Sequence, residues 1–244
     1  MQQFKGLWGW MFLPLVVVQA GVFLDYWGDF ASNPWAVHIH YWNATLWYVF
    51  LISQPWLFAK GRMESHRFWG LVGLLLAGAM ILQSTGQFNR DIVYANSVRD
   101  SPERWGPFEP WFFFQVMMME MILISAFTVQ ILMAVARRKS PPDHAWWMAS
   151  TAFTIMMPGL GRGLQNAWLG IYGFTAENKA ALYTPNYICQ GIIVAMALGF
   201  AWKVDKLKHP ATILAVGANM ALFFLEPVAR SPAVQAFWRG LIAH

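Results

Sequence analysis

Seven long apolar segments dominate this sequence and limit what the chain can fold into. Runs of about 18 or more apolar residues can cross the hydrocarbon core of a bilayer as helices. A bilayer offers no hydrogen-bond partners to the backbone, so each spanning segment must satisfy its own peptide groups. The sequence predicts an all-α, polytopic membrane protein with transmembrane helices at about 7–27, 37–59, 66–88, 109–136, 144–173, 186–204 and 209–229.

The composition agrees with this class of protein. The chain is 57% hydrophobic and 12% charged, whereas soluble domains carry roughly 25% charged residues. The apolar runs leave no room for a soluble domain, so residues 1–244 are predicted to form one transmembrane domain in the lipid bilayer. The basic residues occur in short clusters between apolar runs, which argues against nucleic acid as a partner.

The basic clusters predict the orientation of the chain, because cytoplasmic loops of membrane proteins are enriched in Lys and Arg. One set of loops contains ten basic residues and the other contains six. The predicted cytoplasmic set is Lys5, Lys60, Arg62, Arg67, Arg137, Arg138, Lys139, Lys203, Lys206 and Lys208, and the opposite set is Arg90, Arg99, Arg104, Lys179, Arg230 and Arg239. This bias places the N-terminus in the cytoplasm and the C-terminus outside. The longest connection, residues 89–110, is predicted to fold over a helix mouth.

Three apolar runs begin with a histidine on the predicted cytoplasmic side: His66, His144 and His209. Helices two to seven are therefore predicted to form three helical hairpins that follow an N-terminal helix. One interpretation is that the histidines anchor and cap helix starts beside basic turns. The alternative is a shared site, since three imidazoles can ligate zinc or iron and two can ligate haem. We expect the hairpins to be splayed, which would keep the three histidines apart.

Ionisable groups at membrane depth are costly and mark functional sites. Glu120 lies near the middle of the fourth run. Arg162 and Glu226 lie in the outer halves of the fifth and seventh runs, far from the histidines that begin these runs. Helical spacing places Asn43 on the same face as His40 in the second run, and Asn166 on the same face as Arg162 in the fifth. The predicted ligand-binding residues are His40, Asn43, Glu120, Arg162, Asn166 and Glu226. Because an unpaired guanidinium is unfavourable in lipid, Arg162 is predicted to pair with Glu226 or Glu120.

Three stretches carry a family resemblance: HIHYWNATLWYVFLISQPWLFAKGRMESHRFWG, ARRKSPPDHAWWMASTAFTIMMPGLGR and KHPATILAVGANMALFFLEPVARSPAVQAFW. Together they resemble a largely uncharacterised family of bacterial seven-helix inner-membrane proteins. The residues that match its motifs are His38 or His40, Gln54, Gly61, Arg62, His66, Arg67, His209 and Pro210. The chain departs from the pattern after His144, where Ala145 and Trp146 replace a basic pair. The resemblance implies a seven-helix fold in the bacterial inner membrane.

Three functions remain open at this point. The first is a redox protein that binds haem b or a quinone and takes part in electron transfer, with a metal ion as a further cofactor. The second is a carrier or receptor for a small molecule, which the sequence MMPGLGRG favours because it suggests a broken helix around Pro158. The third is an accessory subunit of a larger membrane complex. The seventh run contains no lysine, which excludes a retinal Schiff base of the rhodopsin type there. The sequence leaves open whether the protein is an enzyme.

Overall fold

A computed structural model describes residues 6–242, and these residues form helices joined by short turns, with no β-strand among them. Lys5, which contributes to the predicted cytoplasmic charge, lies outside the described residues. The α-helices are α1 (Leu7–Trp10), α2 (Phe12–Gly21), α3 (Trp35–Ala59), α4 (Met63–Asp100), α5 (Pro110–Ala136), α6 (Pro141–Thr154), α7 (Met157–Tyr172), α8 (Thr184–Lys203), α9 (Pro210–Ala221), α10 (Leu225–Arg230) and α11 (Pro232–Ile242). A π-helical turn, Phe23–Trp27, follows α2, and 3₁₀ turns cover Phe30–Ser32, Pro102–Arg104, Lys179–Leu182 and Leu222–Phe224.

Four helical segments are long and apolar enough to cross a membrane: α4, α5, Lys179–Lys203 and Pro210–Arg230. The prediction of an all-helical protein is therefore confirmed within residues 6–242, and the four apolar segments are consistent with a membrane protein. The 38 residues of α4 extend for about 57 Å at 1.5 Å per residue, well beyond a hydrocarbon core of about 30 Å. The prediction of a connection over residues 89–110 was wrong for its first half, because α4 continues to Asp100.

Besides the first predicted span, which is divided between α1 and α2, two predicted spans in the second half of the chain are interrupted helices. The segment 144–173 divides into α6 and α7, and no helix covers the two residues between them, Ile155 and Met156. Pro158 explains this interruption, since proline has no N–H group to donate to the preceding turn. The break that the sequence suggests around Pro158 is thus present. The last predicted span is likewise divided, because Leu222–Phe224 forms a 3₁₀ turn between α9 and α10.

Helix α6 lies at the centre of the bundle, and residues 149–154 are all buried. Trp47 Nε1 of α3 donates a hydrogen bond to Thr151 Oγ1 (3.1 Å), and the neighbouring Tyr48 hydroxyl donates to the Ala152 carbonyl (2.8 Å). From α5, Gln130 Nε2 donates to Ser150 Oγ (3.0 Å). In a bundle that gains little from the hydrophobic effect inside lipid, such interhelical bonds contribute to association.

Glycines bring α2 and α7 into backbone contact. Gly159 and Gly163 are one helical turn apart on α7, and both face Gly21 at the end of α2. A Cβ atom on Gly163 would lie 2.5 Å from the Cα and carbonyl oxygen of Gly21. Small residues spaced four apart allow this close approach of membrane helices, and here they position the turn after α2 beside α7.

Gly163→Ala is therefore expected to destabilise the protein, because the two backbones must separate. Overpacking of this kind costs about 1–3 kcal/mol, measured as a lower midpoint of thermal unfolding in detergent. Gly170→Ala on the same helix is the control, since a Cβ there meets no atom within 4 Å. Equal midpoints for the two variants would contradict the close packing of α2 on α7.

Candidate functional site

Six ionisable side chains from five helical segments gather at one end of the bundle. We call them the charge cluster: Asp25 of the π-helical turn, His40 of α3, Arg90 and Asp91 of α4, Glu120 of α5, and Arg162 of α7. His66 and Arg90 are 24 positions apart on α4, about 36 Å along the helix axis. The charge cluster therefore lies far from the end at which α4, α6 and α9 begin with their histidines.

Arg90 connects α4 to α5 within the charge cluster. Its Nη2 atom lies 2.6 Å from Asp91 Oδ1 and 3.6 Å from Glu120 Oε1. The Asp91 side chain is only 1% exposed, and the Glu120 side chain is mostly buried. One guanidinium thus faces two carboxylates, and each carboxylate uses one of its oxygen atoms for this contact.

Arg162 connects α7 to α3 and to the π-helical turn. Its Nε atom lies 3.3 Å from Asp25 Oδ2, and its Nη1 atom donates to the Tyr41 hydroxyl (2.9 Å). Asn166 Nδ2, one turn further along α7, also donates to Asp25. The prediction that Arg162 pairs with Glu226 or Glu120 was wrong. The reason is the glycine contact between α2 and α7, which places the Asp25 carboxylate directly beside the guanidinium.

The charge cluster contains three buried polar atoms that have no partner in the part of the chain that the structure describes. His40 Nδ1, Asp91 Oδ2 and Glu120 Oε2 are buried and have no hydrogen-bond partner within residues 6–242. His40 is connected to Arg162 through Tyr41, because the Tyr41 hydroxyl accepts from Arg162 and the rings of His40 and Tyr41 have centroids 5.6 Å apart. A buried polar atom without a partner costs about 1–3 kcal/mol. The arrangement therefore suits a ligand that donates hydrogen bonds or protons to this place.

The structure separates two of the predicted ligand-binding residues from the charge cluster. Asn43 lies one turn along α3 from His40, and its Nδ2 atom donates to the Leu76 carbonyl (3.3 Å) and to Gln83 Oε1 (3.4 Å). Asn43 therefore joins α3 to α4. Glu226 accepts from Arg230 Nε (3.0 Å) and from the Tyr187 hydroxyl (3.3 Å) and belongs to a different set of ionic contacts.

That second set surrounds Glu109, which precedes α5. Its carboxylate contacts Lys179 Nζ (2.9 Å) and Arg230 Nη1 (3.6 Å) and accepts from Trp111 Nε1 (2.6 Å). Burial raises the pKa of Glu109, but the hydrogen bonds from Lys179 and Trp111 and the nearby positive charges lower it more, so the net pKa lies below its usual range. Glu109 therefore stays ionised and ties the starts of α5 and α8 to α10.

The three helix-start histidines do not form a metal site with one another. Within residues 6–242, no group of three or more His, Cys, Asp or Glu residues is placed to hold a metal ion. The rings of His66 and His144 nevertheless have centroids 6.4 Å apart, so the expectation that these two histidines are far apart was wrong. Their helices are neighbours of α5, and His144 Nδ1 bonds to the Ala134 carbonyl of α5 (2.8 Å).

His209 instead caps α9. Its Nδ1 atom accepts from the Ala211 backbone N–H (3.1 Å), and its Nε2 atom lies 3.5 Å from Asp143 Oδ1. Burial lowers the pKa of His209, and the charge of Lys206 adds to this effect, while Asp143 partly opposes it. The neutral ring accepts at Nδ1 and carries its proton on Nε2, towards Asp143. This contact supports the interpretation of a helix cap.

Sequence reasoning missed Asp25, Arg90 and Asp91. A signal for Asp91 was present, because the small-residue stripe of α4 continues to it. That stripe is His66, Gly70, Gly73, Ala77, Ser84 and Gln87, and a further step of four residues reaches Asp91. Asp25 had no comparable signal, since its position depends on the packing of α2 against α7.

No protein-family model, curated protein or solved structure matches this chain. The resemblance to bacterial seven-helix inner-membrane proteins therefore stays a prediction, and the geometry of the charge cluster carries the functional argument.

Proposed function

We propose that the chain crosses the bacterial inner membrane seven times, with its N-terminus in the cytoplasm. Four apolar helical segments have the length and hydropathy of spans. The 25-residue α3, the α1–α2 segment and the α6–α7 pair supply the other three. The excess of basic residues at the ends where α4, α6 and α9 begin supports this orientation, and the family resemblance supports the location.

The two termini are then expected on opposite sides of the membrane. A reporter that is active only in the cytoplasm should give a signal when fused to the N-terminus and none when fused to the C-terminus. Equal signals from both fusions would mean an even number of spans and would contradict the proposed topology.

We further propose that the charge cluster binds the head group of a quinol. The observation that carries this proposal is the set of three buried polar atoms that have no partner among residues 6–242: His40 Nδ1, Asp91 Oδ2 and Glu120 Oε2. A quinol head group carries hydroxyl groups, which can donate to carboxylate oxygens and to an unprotonated ring nitrogen. It is also soluble in the bilayer and reaches an intramembrane site from the lipid, which agrees with the redox function expected from the sequence.

The charges of the cluster favour a donor over an anion. Arg90 faces two carboxylates, and Arg162 already faces Asp25 and the Tyr41 hydroxyl. Neither guanidinium is left to anchor an anionic ligand. Haem b has less support, because its iron would use only the His40 imidazole of the cluster and would leave the two carboxylate oxygens without a role.

Glu120→Gln should weaken quinol binding about tenfold, because it replaces one carboxyl oxygen by an amide NH₂ group; a buried polar group left without a suitable partner costs about 1–3 kcal/mol, and tenfold corresponds to about 1.4 kcal/mol. A short-chain ubiquinol analogue titrated into protein in lipid nanodiscs, followed by calorimetry, measures the affinity. Glu103→Gln, at an exposed glutamate in the turn after α4, is the control. The proposal fails if the unmodified protein does not bind the analogue or if both variants bind it equally well.

A carrier for a small molecule is the second candidate function, and one observation favours it. Two of the proposed spans in the second half of the chain are interrupted, between α6 and α7 and again at Leu222–Phe224. Interrupted helices in membrane transporters expose backbone groups that bind substrates or coupling ions. An uptake assay in proteoliposomes separates the two candidates only against protein-free liposomes, because the quinol analogue itself dissolves in the bilayer. Uptake that is faster with the protein than without it would favour a carrier, and equal uptake would favour a binding protein.

A further inference from the structure

The two helix interruptions lie at a similar height in the bundle. Thr154, the last residue of α6, is 13 positions beyond the start of that helix, which is about 20 Å along its axis. The 3₁₀ turn Leu222–Phe224 begins 12 positions beyond the start of α9, about 18 Å along. Both helices begin at the end of the bundle that holds the histidines. Two breaks in regular backbone structure therefore occur together, near the middle of the bundle.

The first interruption releases backbone carbonyls that other helices partly satisfy. The Ala152 carbonyl accepts from the Tyr48 hydroxyl (2.8 Å), and the Phe153 carbonyl accepts from Asn219 Nδ2 (3.3 Å). The carbonyl of Thr154 differs from these two. Its helical donor would be the residue four positions on, which is Pro158, and proline has no N–H group. Thr154 is completely buried, so its carbonyl is shielded from solvent.

Asn219 joins the second interruption to the first. It lies on α9 one turn before the 3₁₀ turn. Its Nδ2 atom donates one hydrogen bond to the Phe153 carbonyl of α6 and one to the Ala215 carbonyl of its own helix (2.9 Å). Its Oδ1 atom is buried and has no partner within the described part of the chain. The amide oxygen of Asn219 is therefore an unused acceptor beside the end of α6.

Gln190 lies on α8, which packs against α6, α7 and α9. Its side chain is 0% exposed, and neither Oε1 nor Nε2 has a hydrogen-bond partner among residues 6–242. The preceding residue, Cys189, contacts the carbonyl of Met157 through its sulfur atom (3.9 Å), so this turn of α8 packs on the first residue of α7. A buried primary amide that makes no hydrogen bond is unfavourable by a few kcal/mol, which points to a partner for it.

Three neutral oxygen acceptors of these segments have no partner within residues 6–242: Gln190 Oε1, Asn219 Oδ1 and the Thr154 carbonyl. Neutral oxygens and the partially negative C-terminal end of α6 favour a small positive charge. A divalent cation such as Ca²⁺ prefers carboxylate ligands, and this set contains none. We propose that an alkali cation of the Na⁺ class binds between α6, α8 and α9 at the helix interruptions. This site is separate from the charge cluster and does not rest on quinol binding.

The proposal predicts that Na⁺ stabilises the protein. A ligand that binds only the folded state raises stability with its concentration, so the midpoint of thermal unfolding in nanodiscs should rise with NaCl and remain lower in choline chloride of equal ionic strength. Equal midpoints in NaCl, KCl and choline chloride would overturn the proposal and would indicate that water satisfies these groups. This comparison uses the unmodified chain.

A variant then tests whether Gln190 is a ligand. Gln190→Met keeps the length of the side chain and removes its two unpartnered polar atoms, so it should fold without Na⁺. Its unfolding midpoint is expected to be the same in NaCl and choline chloride. The matched control is Gln130→Met, because Gln130 is equally buried but donates to Ser150; it should keep the Na⁺ dependence. A Na⁺ dependence that persists in Gln190→Met would refute the assignment of the site.

Discussion

The contact of Arg90 with Asp91 and Glu120 is the interaction on which the interior of this bundle depends. A guanidinium inside an apolar helix bundle is unfavourable unless carboxylates face it, and removal of one partner from such a buried pair costs about 3–5 kcal/mol. Two carboxylates share one guanidinium here. The contact with Glu120 therefore fixes α4 against α5. One oxygen of each carboxylate has no partner among residues 6–242, which connects stability to the proposed ligand site.

Close backbone packing brings the second ion pair to the same place. Gly21 on α2 lies against Gly159 and Gly163 on α7, and the turn that follows α2 then carries Asp25 to Arg162. Larger residues at these positions would separate the helices and move the carboxylate away from the guanidinium. The first, interrupted segment of the chain thus contributes directly to the charge cluster, although it lies outside the three predicted hairpins.

The sequence predicted the features that follow from local chemistry. Apolar runs identified the helical membrane class, and Pro158 indicated a broken helix. The features that depend on packing between helices were not predictable in the same way. Several helices carry a carboxylate at the depth of Arg162. Arg162 forms its ion pair with Asp25 because the glycine contact between α2 and α7 brings Asp25 beside it. Glu226 was predicted to lie with Arg162, but in the structure it forms an ion pair with Arg230, one turn away on α10.

The most direct test of this account compares two aspartates on α4. Asp91 and Asp100 each follow an arginine and contact it, but the Asp91 side chain is 1% exposed and the Asp100 side chain is 63% exposed. The measurement is the free energy of unfolding of Asp91→Asn and Asp100→Asn in the same detergent. We expect a loss of about 3 kcal/mol or more for Asp91→Asn and less than about 1 kcal/mol for Asp100→Asn. Similar small losses for both variants would contradict a buried ionic contact between Asp91 and Arg90, the arginine that faces Glu120 of α5.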